Sequence, residues 1–196
     1  VVVFLGGRCL GIMGWEEYRE QVFPRAREKI KTALAGLADR YEFIVIEGAG
    51  SPVEVNLRET DLANRYVARL ADPSVFLVAD IDRGGAFAAL VGTLALMEQN
   101  ERKRVRGLII NKFHGEMELL RPGLDFLEEY TGLPTAGVLP YLPDLLFTGE
   151  DHSKKISGKQ QVDISPDELR RRLDDCLPLI DKYLKIEHFI AGYGGN

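Results

Sequence analysis

Short apolar runs alternate with longer segments of helical periodicity along this chain, and that alternation restricts the possible folds more than any other feature. The apolar runs occupy residues 1–5, 43–46, 75–79, 107–110 and 136–139. They contain β-branched residues without polar alternation, which is typical of strands buried on both faces. Strands separated by helices join a parallel sheet through right-handed crossovers. The sequence therefore predicts an α/β fold with a mostly parallel sheet and helices on both faces.

Helical patterns fill the intervals between the apolar runs. They cover residues 15–39 (one or two helices, broken near Pro24), 59–70, 85–99 and 116–131. Residues 153–164 are polar and predict a linker. After the linker, Ser165 and Pro166 have the signature of a helix start, and leucines at helical spacing predict a packing or oligomerising helix. We therefore divide the chain into a domain at 1–152, the linker, and a C-terminal helix with its tail at 165–196.

Composition argues against several classes of function. The 196 residues are 45% hydrophobic and 28% charged, as in one globular domain with a sizeable core. The formal net charge of −5 does not favour a nucleic-acid surface. No apolar run approaches the roughly 18–20 residues of a membrane span. The cysteines and histidines have no zinc-binding spacing. These observations predict a cytoplasmic protein that binds neither nucleic acid nor a membrane.

Polar side chains follow three of the predicted strands. Glu47 follows the second run, Asp80 the third, and Asn111 with Lys112 the fourth. Because ligands of open parallel sheets bind at the carboxyl ends of the strands, we expect these groups to lie at one edge. A carboxylate after an apolar strand resembles the Walker-B arrangement, in which it holds Mg²⁺ directly or through water. An asparagine amide has the donor and the acceptor that an adenine edge requires.

The loop after the third run adds further candidates, each with a plainer alternative. Arg83 has the planar fork that pairs with phosphate or carboxylate, but it can also form a structural ion pair. Asp80 and Asp82 can simply cap the helix that follows, and Asn111 can satisfy a turn. The glycine-rich residues 6–11 lack the Lys-Ser/Thr of a phosphate loop, so they are weak evidence for a phosphate cradle.

Four motifs of the chain resemble those of cobyric acid synthases. EGAGSPVEVNLR at 47–58 is similar to the family's EGAGSPAEINLR, and DIDRGGAF at 80–87 matches DIDRGGVFA. IINKFHG at 109–115 matches IINKFRGD with His114 in place of arginine, and GVLPY at 137–141 follows in the family's order. The resemblance covers residues 1–152. The family's synthetase domain is similar to dethiobiotin synthase, so the resemblance implies a P-loop NTPase type of α/β fold.

The resemblance also implies an activity and a set of residue roles. The family uses ATP and Mg²⁺ to activate peripheral carboxylates of a corrinoid, adenosylcobyrinic acid a,c-diamide, and forms amides with ammonia taken from glutamine. The implied catalytic residues are Glu47, Asp80, Asp82 and Arg83, with Mg²⁺ on Glu47 and Asp80; the nucleotide contacts are Asn111, Lys112 and Pro140; and the corrinoid contacts are Ser51, Glu54, Asn56 and Arg58. Forming an acyl phosphate depends on metal-neutralised phosphates and positioned charges more than on an active nucleophile.

The chain departs from the family in two respects. Family members begin with a P-loop of the GTxSDVGKS kind and end in a glutaminase domain with a catalytic cysteine and histidine; these residues contain neither pattern. The resemblance is therefore to the central part of the synthetase domain, and we expect the chain alone to bind ATP weakly or not at all and to have no glutamine-dependent activity. The alternatives are a dethiobiotin-synthase-like ligase, a non-catalytic module that pairs with another chain and, last, a signalling or partitioning ATPase.

Overall fold

The computed structural model describes residues 2–142, 165–185 and 187–190, and the chain divides into two compact units. The first unit consists of the residues up to Pro73 together with Ala95–Arg104, and the second consists of Ser74–Leu94 and the residues from Val105 onward. The predicted linker at 153–164 and the tail after residue 190 lie outside the described residues.

The elements are named here in chain order. They are β1 (Val2–Leu5), β2 (Arg8–Ile12), α1 (Trp15–Glu17), a π-helical turn (Tyr18–Val22), α2 (Phe23–Ala38), a 3₁₀ turn (Val55–Leu57), a second π-helical turn (Leu62–Tyr66), α3 (Val67–Ala71), β3 (Val75–Asp80), a second 3₁₀ turn (Ile81–Arg83), α4 (Ala86–Leu96), α5 (Gln99–Arg102), β4 (Val105–Phe113), α6 (Met117–Thr131), β5 (Thr135–Pro140), α7 (Pro166–Tyr183) and α8 (Glu187–Ile190). The predicted break near Pro24 coincides with the start of α2, where proline is tolerated because first-turn N–H groups have no helical partner.

A β-hairpin begins the first unit. β1 pairs antiparallel with β2, and Gly6 and Gly7 connect them with φ of 59° and 75°. Two successive positive φ values match the twist of hairpin strands, and glycine adopts them without steric cost. The first apolar run is therefore a strand, as expected, but it belongs to a hairpin and not to the parallel sheet. Residues 6–11 form the turn and part of β2, and they do not lead into a helix as a phosphate loop does.

The apolar run at residues 43–46 is not a strand, so that prediction is wrong. The segment belongs to neither sheet, and Val45 is 97% exposed. Strand propensity mainly measures how well a side chain packs on neighbouring strands. A run of β-branched residues does not form a strand where no such neighbour is present.

A three-stranded parallel sheet forms the core of the second unit, in the order β3-β4-β5. In the central strand β4, Leu108 lies opposite Leu77 of β3, and Ile110 lies opposite Val138 of β5. Leu108 and Ile110 are completely buried, which explains why their strand has no polar alternation. The predicted α/β fold, with a parallel sheet flanked by helices, is confirmed.

The two predicted helices with explicit start or stop signals are also present. α6 buries Leu120 and Leu127 and ends at Thr131, and Gly132 after it adopts the left-handed conformation typical of a glycine that ends a helix. α7 begins at Pro166, and the Ser165 hydroxyl accepts a 3.2 Å hydrogen bond from the Glu168 N–H. The signals in the sequence therefore located both ends correctly.

Candidate functional site

The carboxyl ends of the parallel strands bring several predicted groups to one edge of the sheet, but the prediction for Glu47 is wrong, because the described residues 43–46 that precede it form no strand. Asp80, the last residue of β3, pairs in register with Asn111 of β4. Phe113, two residues further along β4, pairs with Pro140, the last residue of β5. Asn111, Lys112 and Pro140 therefore lie at the same edge as Asp80. Open parallel sheets bind ligands at this edge.

Three groups of the second unit contact the Asp80 carboxylate. Lys112 Nζ lies 2.8 Å from Oδ2, Arg83 Nε lies 3.4 Å from the same oxygen, and the Asp82 N–H donates to Oδ1 at 3.0 Å. Burial opposes ionisation of Asp80, but the hydrogen bonds from Lys112 and Asp82 and the charges of Lys112 and Arg83 outweigh it and hold the pKa of Asp80 below its usual value. The carboxylate is thus ionised at neutral pH and available to a cation.

Lys112 has an unusual backbone for a residue with a side chain. Its φ is 59°, in the left-handed region, where a non-glycine residue costs roughly 1–2 kcal/mol. The Lys112 N–H donates to Asn111 Oδ1 at 2.9 Å, and the ion pair with Asp80 fixes the other end of the residue. These contacts offset the strain and hold an ammonium group at the strand end. Strained conformations of this kind are concentrated at functional sites.

The structure adds two ring-bearing residues that the sequence had not indicated as site residues. The His114 ring stacks on Tyr141 with centroids 4.4 Å apart, and His114 Nε2 lies 3.6 Å from Asp82 Oδ1. These contacts connect the turn after β3 with the residues that follow β4 and β5. His114 is the position at which the chain departs from the arginine of the motif it resembles, and this departure was the only signal available in the sequence.

The predicted corrinoid contacts lie in the first unit, on the segment that follows Glu47. The Val53 N–H donates to Ser51 Oγ at 3.3 Å, and Glu54 precedes the 3₁₀ turn that contains Asn56. Glu47, Glu54 and Asn56 are exposed, and Ser51 is half-buried. Ligands can therefore reach the polar groups of this segment from solvent.

Arg58 differs from these residues because its guanidinium is engaged within the first unit. Nη2 donates to the Leu96 carbonyl at 2.9 Å, and Nη1 lies 3.5 Å from Glu98 Oε1. Glu98 also accepts a 2.7 Å hydrogen bond from Arg65, which is 6% exposed and pairs with Glu101 at 2.6 Å. Arg58 thus belongs to an ion-pair network within the first unit.

Neither a chelating cluster nor a membrane-spanning helix is found in the part of the chain that the structure describes. There, no group of three or more His, Cys, Asp or Glu side chains is arranged to hold a metal ion. None of the helices described is both long enough and apolar enough to cross a membrane.

Comparison with known proteins finds one matching family and a set of cobyric acid synthases. The AAA domain family matches residues 19–147. The cobyric acid synthase of Geobacillus kaustophilus is 47% identical over 165 residues, which are 81% of this chain and 33% of the relative. For the cobyric acid synthase of Geobacillus thermodenitrificans, the identity is 54% over 145 residues, 74% of this chain and 29% of the relative. The probable cobyric acid synthase of Methanothermobacter thermautotrophicus is 46% identical over 164 residues, which are 82% of this chain and 32% of the relative.

The chain spans about a third of the length of these relatives. No solved structure matches it significantly. The matched segment includes the strand ends of the parallel sheet and the segment after Glu47, so the similarity covers all the predicted site residues.

Proposed function

Because the chain belongs to the AAA domain family and resembles the synthetase domain of cobyric acid synthases, we propose that it forms part of an ATP-dependent amidoligase of cobalamin biosynthesis. The proposed substrates are ATP and adenosylcobyrinic acid a,c-diamide, whose peripheral carboxylates become amides. The observation that supports the proposal most directly is the arrangement of Asp80, Lys112 and Asn111 at the carboxyl ends of β3 and β4.

The proposed reaction has two steps. A carboxylate oxygen of the corrinoid attacks the γ-phosphorus of ATP, the bond to the β-phosphate oxygen breaks, and ADP leaves behind an acyl phosphate. Ammonia then attacks the acyl carbon, phosphate leaves, and the nitrogen loses a proton to give the amide. Both steps depend on neutralised charge and aligned reactants and need no nucleophilic side chain of the protein.

The nucleotide contacts that we propose are Asn111, Lys112 and Pro140. Asn111 uses Oδ1 to accept the Lys112 N–H, while its amide nitrogen makes no hydrogen bond within the described residues and can donate to an adenine acceptor. The Lys112 ammonium, which pairs with Asp80, can form charge-assisted hydrogen bonds with phosphate oxygens. Asp82 and Arg83, which lie in the 3₁₀ turn after β3, are further proposed catalytic residues. Arg83 would stabilise charge on the transferred phosphoryl group.

Mg²⁺ fits the chemistry of the carboxylates present. The ion usually takes one or two carboxylate oxygens from the protein and its other ligands from water and nucleotide phosphates. Each proposed ligand is put forward on the chemistry of its own side chain: Asp80 is ionised at neutral pH, and Glu47 is exposed. When bound, Mg²⁺ supplies positive charge that neutralises the phosphates.

The remaining proposed roles concern the acceptor and the nitrogen source. Ser51, Glu54, Asn56 and Arg58 are the proposed corrinoid contacts, and a glutaminase domain outside these residues is the proposed source of ammonia. We also propose the domain boundaries expected from the sequence, with the synthetase segment at 1–152, a linker at 153–164 and a C-terminal helix and tail at 165–196.

Calorimetric titration of ATP with Mg²⁺ into the native protein tests the nucleotide part of the proposal. We expect Glu47→Ala and Asp80→Asn each to weaken binding by about tenfold or more, the effect of roughly one lost charged contact. Glu42→Ala, at a nearby exposed glutamate, serves as the control and should bind as the wild type does. Wild-type affinity in both site variants would contradict the proposal.

A substrate comparison tests the acceptor. Amide formation on adenosylcobyrinic acid a,c-diamide, with no ATP-dependent carboxylation of diaminopelargonic acid, is the expected result. The opposite preference would favour the dethiobiotin-synthase-like ligase.

A second candidate function is a non-catalytic interaction module, and one observation favours it. Leu169, Leu173 and Leu177 are exposed at four-residue spacing on α7, which is typical of a helix that pairs with another surface. Sedimentation of the native protein and of Leu173→Glu distinguishes the candidates. A homo-oligomer that dissociates in the variant, in a protein that does not bind ATP, would favour the module.

A further inference from the structure

The glycine-rich loop that follows Glu47 is attached to a distant part of the first unit by one side chain. Asn64 Nδ2 donates a 2.8 Å hydrogen bond to the Ala49 carbonyl, across fifteen positions of the chain. Ala49 is two residues from Glu47, so this contact fixes the backbone close to the proposed metal ligand. No local sequence pattern indicates it, because Asn64 lies in the helical segment after the loop.

Gly48 makes this contact possible. A Cβ placed on Gly48 would collide with Asn64 Oδ1 and would lie 3.1 Å from Asn64 Cγ. The missing side chain at Gly48 thus admits the amide of Asn64 against the loop backbone. The two residues form a complementary pair, in which the glycine is required for close approach.

The backbone of Asn64 is itself anchored on both sides. Its N–H donates to Asp61 Oδ1 at 2.8 Å at the start of the π-helical turn Leu62–Tyr66. The next residue, Arg65, is buried and pairs with Glu98 and Glu101. These contacts use backbone atoms and neighbouring side chains, so they persist when the Asn64 amide is removed. A substitution at Asn64 therefore tests the attachment of the loop more than the integrity of the helix.

We propose that Asn64 is a positioning residue, which orients the Glu47–Gly50 loop for binding of the Mg²⁺–ATP complex. This inference rests on the proposed function of Glu47. Because glycine allows many backbone conformations, the loop can present the Glu47 carboxylate in many positions. A ligand that requires one of these positions must bear the entropy cost of fixing the loop backbone. The hydrogen bond from Asn64 makes that restriction before the ligand arrives, which raises affinity by preorganisation.

The test compares three variants of the native protein with one control. Asn64→Ala removes the amide, Asn64→Asp keeps its shape without the donor, and Gly48→Ala expels the amide from its place. Asn100→Ala is the control, since Asn100 is exposed on a helix of the same unit. We measure hydrogen exchange of the backbone amides at residues 48–51 and calorimetric affinity for ATP with Mg²⁺.

We expect exchange at residues 48–51 to accelerate and the dissociation constant to rise about fivefold in all three variants, as one net hydrogen bond is lost. Gly48→Ala combined with Asn64→Ala should have little more effect than either alone, because both remove the same contact. Asn100→Ala should change neither quantity.

Two contrary results separate the inference from the function on which it rests. Unchanged exchange and affinity in both Asn64 variants, with binding lost in Glu47→Ala, would overturn the inference alone. Faster exchange in the Asn64 variants, with full binding retained in Glu47→Ala, would overturn the proposed role of Glu47 and the inference with it.

Discussion

The ammonium group of Lys112 lies 2.8 Å from Asp80 Oδ2, on a residue whose backbone φ is 59°. A cation that binds Asp80 must therefore share this carboxylate with Lys112 or displace it. Under the proposed function, a nucleotide resolves the competition because its phosphate oxygens provide new partners for the ammonium while Mg²⁺ takes the carboxylate. The ion pair then keeps the strand end neutralised until the ligand binds.

Replacing Lys112 by Met should expose the contribution of this ion pair to stability. We expect the free energy of unfolding at pH 7 to fall by about 1 kcal/mol, which is less than is usual for a hydrogen bond to a charged group because both side chains are partly exposed. The pair holds the pKa of Asp80 below its usual value. The stabilisation that the pair provides is therefore complete above the usual pKa of an aspartate and is lost as the pH falls through the lowered pKa of the folded state.

Urea unfolding at a series of pH values provides the measurement. The difference between wild type and Lys112→Met should be largest at neutral pH and should shrink below about pH 4. Lys103→Met, at an exposed lysine, should show no difference at any pH. A difference that persists undiminished at pH 2 would mean that packing of the lysine stem, and not the ion pair, is responsible.

The parallel sheet could be predicted from the sequence because its strands are recognisable one at a time. Leu108 and Ile110 lie in an uninterrupted apolar run, which is typical of a strand buried on both faces. The start of α7 could be predicted because the Ser165 cap involves residues three positions apart. That Asp80 and Asn111 lie at one edge followed from the rule that parallel strands end together, but their pairing in register did not.

The parts that could not be predicted depend on contacts between distant residues. The run at 43–46 has the composition of a strand, but composition does not supply a hydrogen-bonded neighbour. The bond from Asn64 to Ala49 has no local signature. Lys112 adopts a left-handed backbone without being glycine, asparagine or aspartate, so nothing in its identity indicated the strain.

Arg65→Met should be among the most destabilising single substitutions in the first unit. The arginine is 6% exposed, and its loss leaves Glu101, which is only 13% exposed, without its closest ionic partner. We expect unfolding to become easier by about 2–3 kcal/mol. Arg69→Met is the matched control. That arginine is 53% exposed, and its Nη2 lies 3.8 Å from Glu98 Oε2 and 3.9 Å from Glu101 Oε1, the two glutamates with which Arg65 also pairs.

Chemical denaturation of both variants at pH 7 makes this comparison. The Arg69 variant should lose less than about 0.5 kcal/mol, as is usual for an exposed pair. Equal losses in the two variants would show that burial of Arg65 does not determine its contribution.

Glu168 should titrate well below the ordinary range of a glutamate. Hydrogen bonds from Arg171 and then from Arg172 lower the pKa of Glu168 to about 2. A lowered pKa in the folded state means that Glu168 stabilises α7 above about pH 4.5 and that this contribution disappears as the pH falls toward 2. Carboxyl-carbon NMR titration of the native protein measures the value directly. Replacing both arginines by Ala should return the pKa of Glu168 to the ordinary range, and ordinary titration in the wild type would contradict the ion pairs.

Two glycines of the second unit should respond to alanine in opposite directions. At Gly137 of β5, a Cβ would collide with Leu184 Cδ2 and lie 2.9 Å from the Tyr183 carbonyl. Leu184 forms an antiparallel bridge with Gly137, and the Lys185 N–H donates to the Ala136 carbonyl at 2.9 Å, so this substitution forces the end of the C-terminal helix away from the sheet edge.

We expect Gly137→Ala to lower the free energy of unfolding by about 1–3 kcal/mol, the usual cost of overpacking. At Gly92, within α4, a Cβ meets nothing within 4 Å, and alanine should stabilise the helix by about 0.5–1 kcal/mol. Thermal unfolding of the two variants gives the sign of each effect. If Gly137→Ala proved neutral while Gly92→Ala stabilised the protein, the bridge to Leu184 would not hold the C-terminal helix on β5, because a side chain at Gly137 cannot coexist with that bridge.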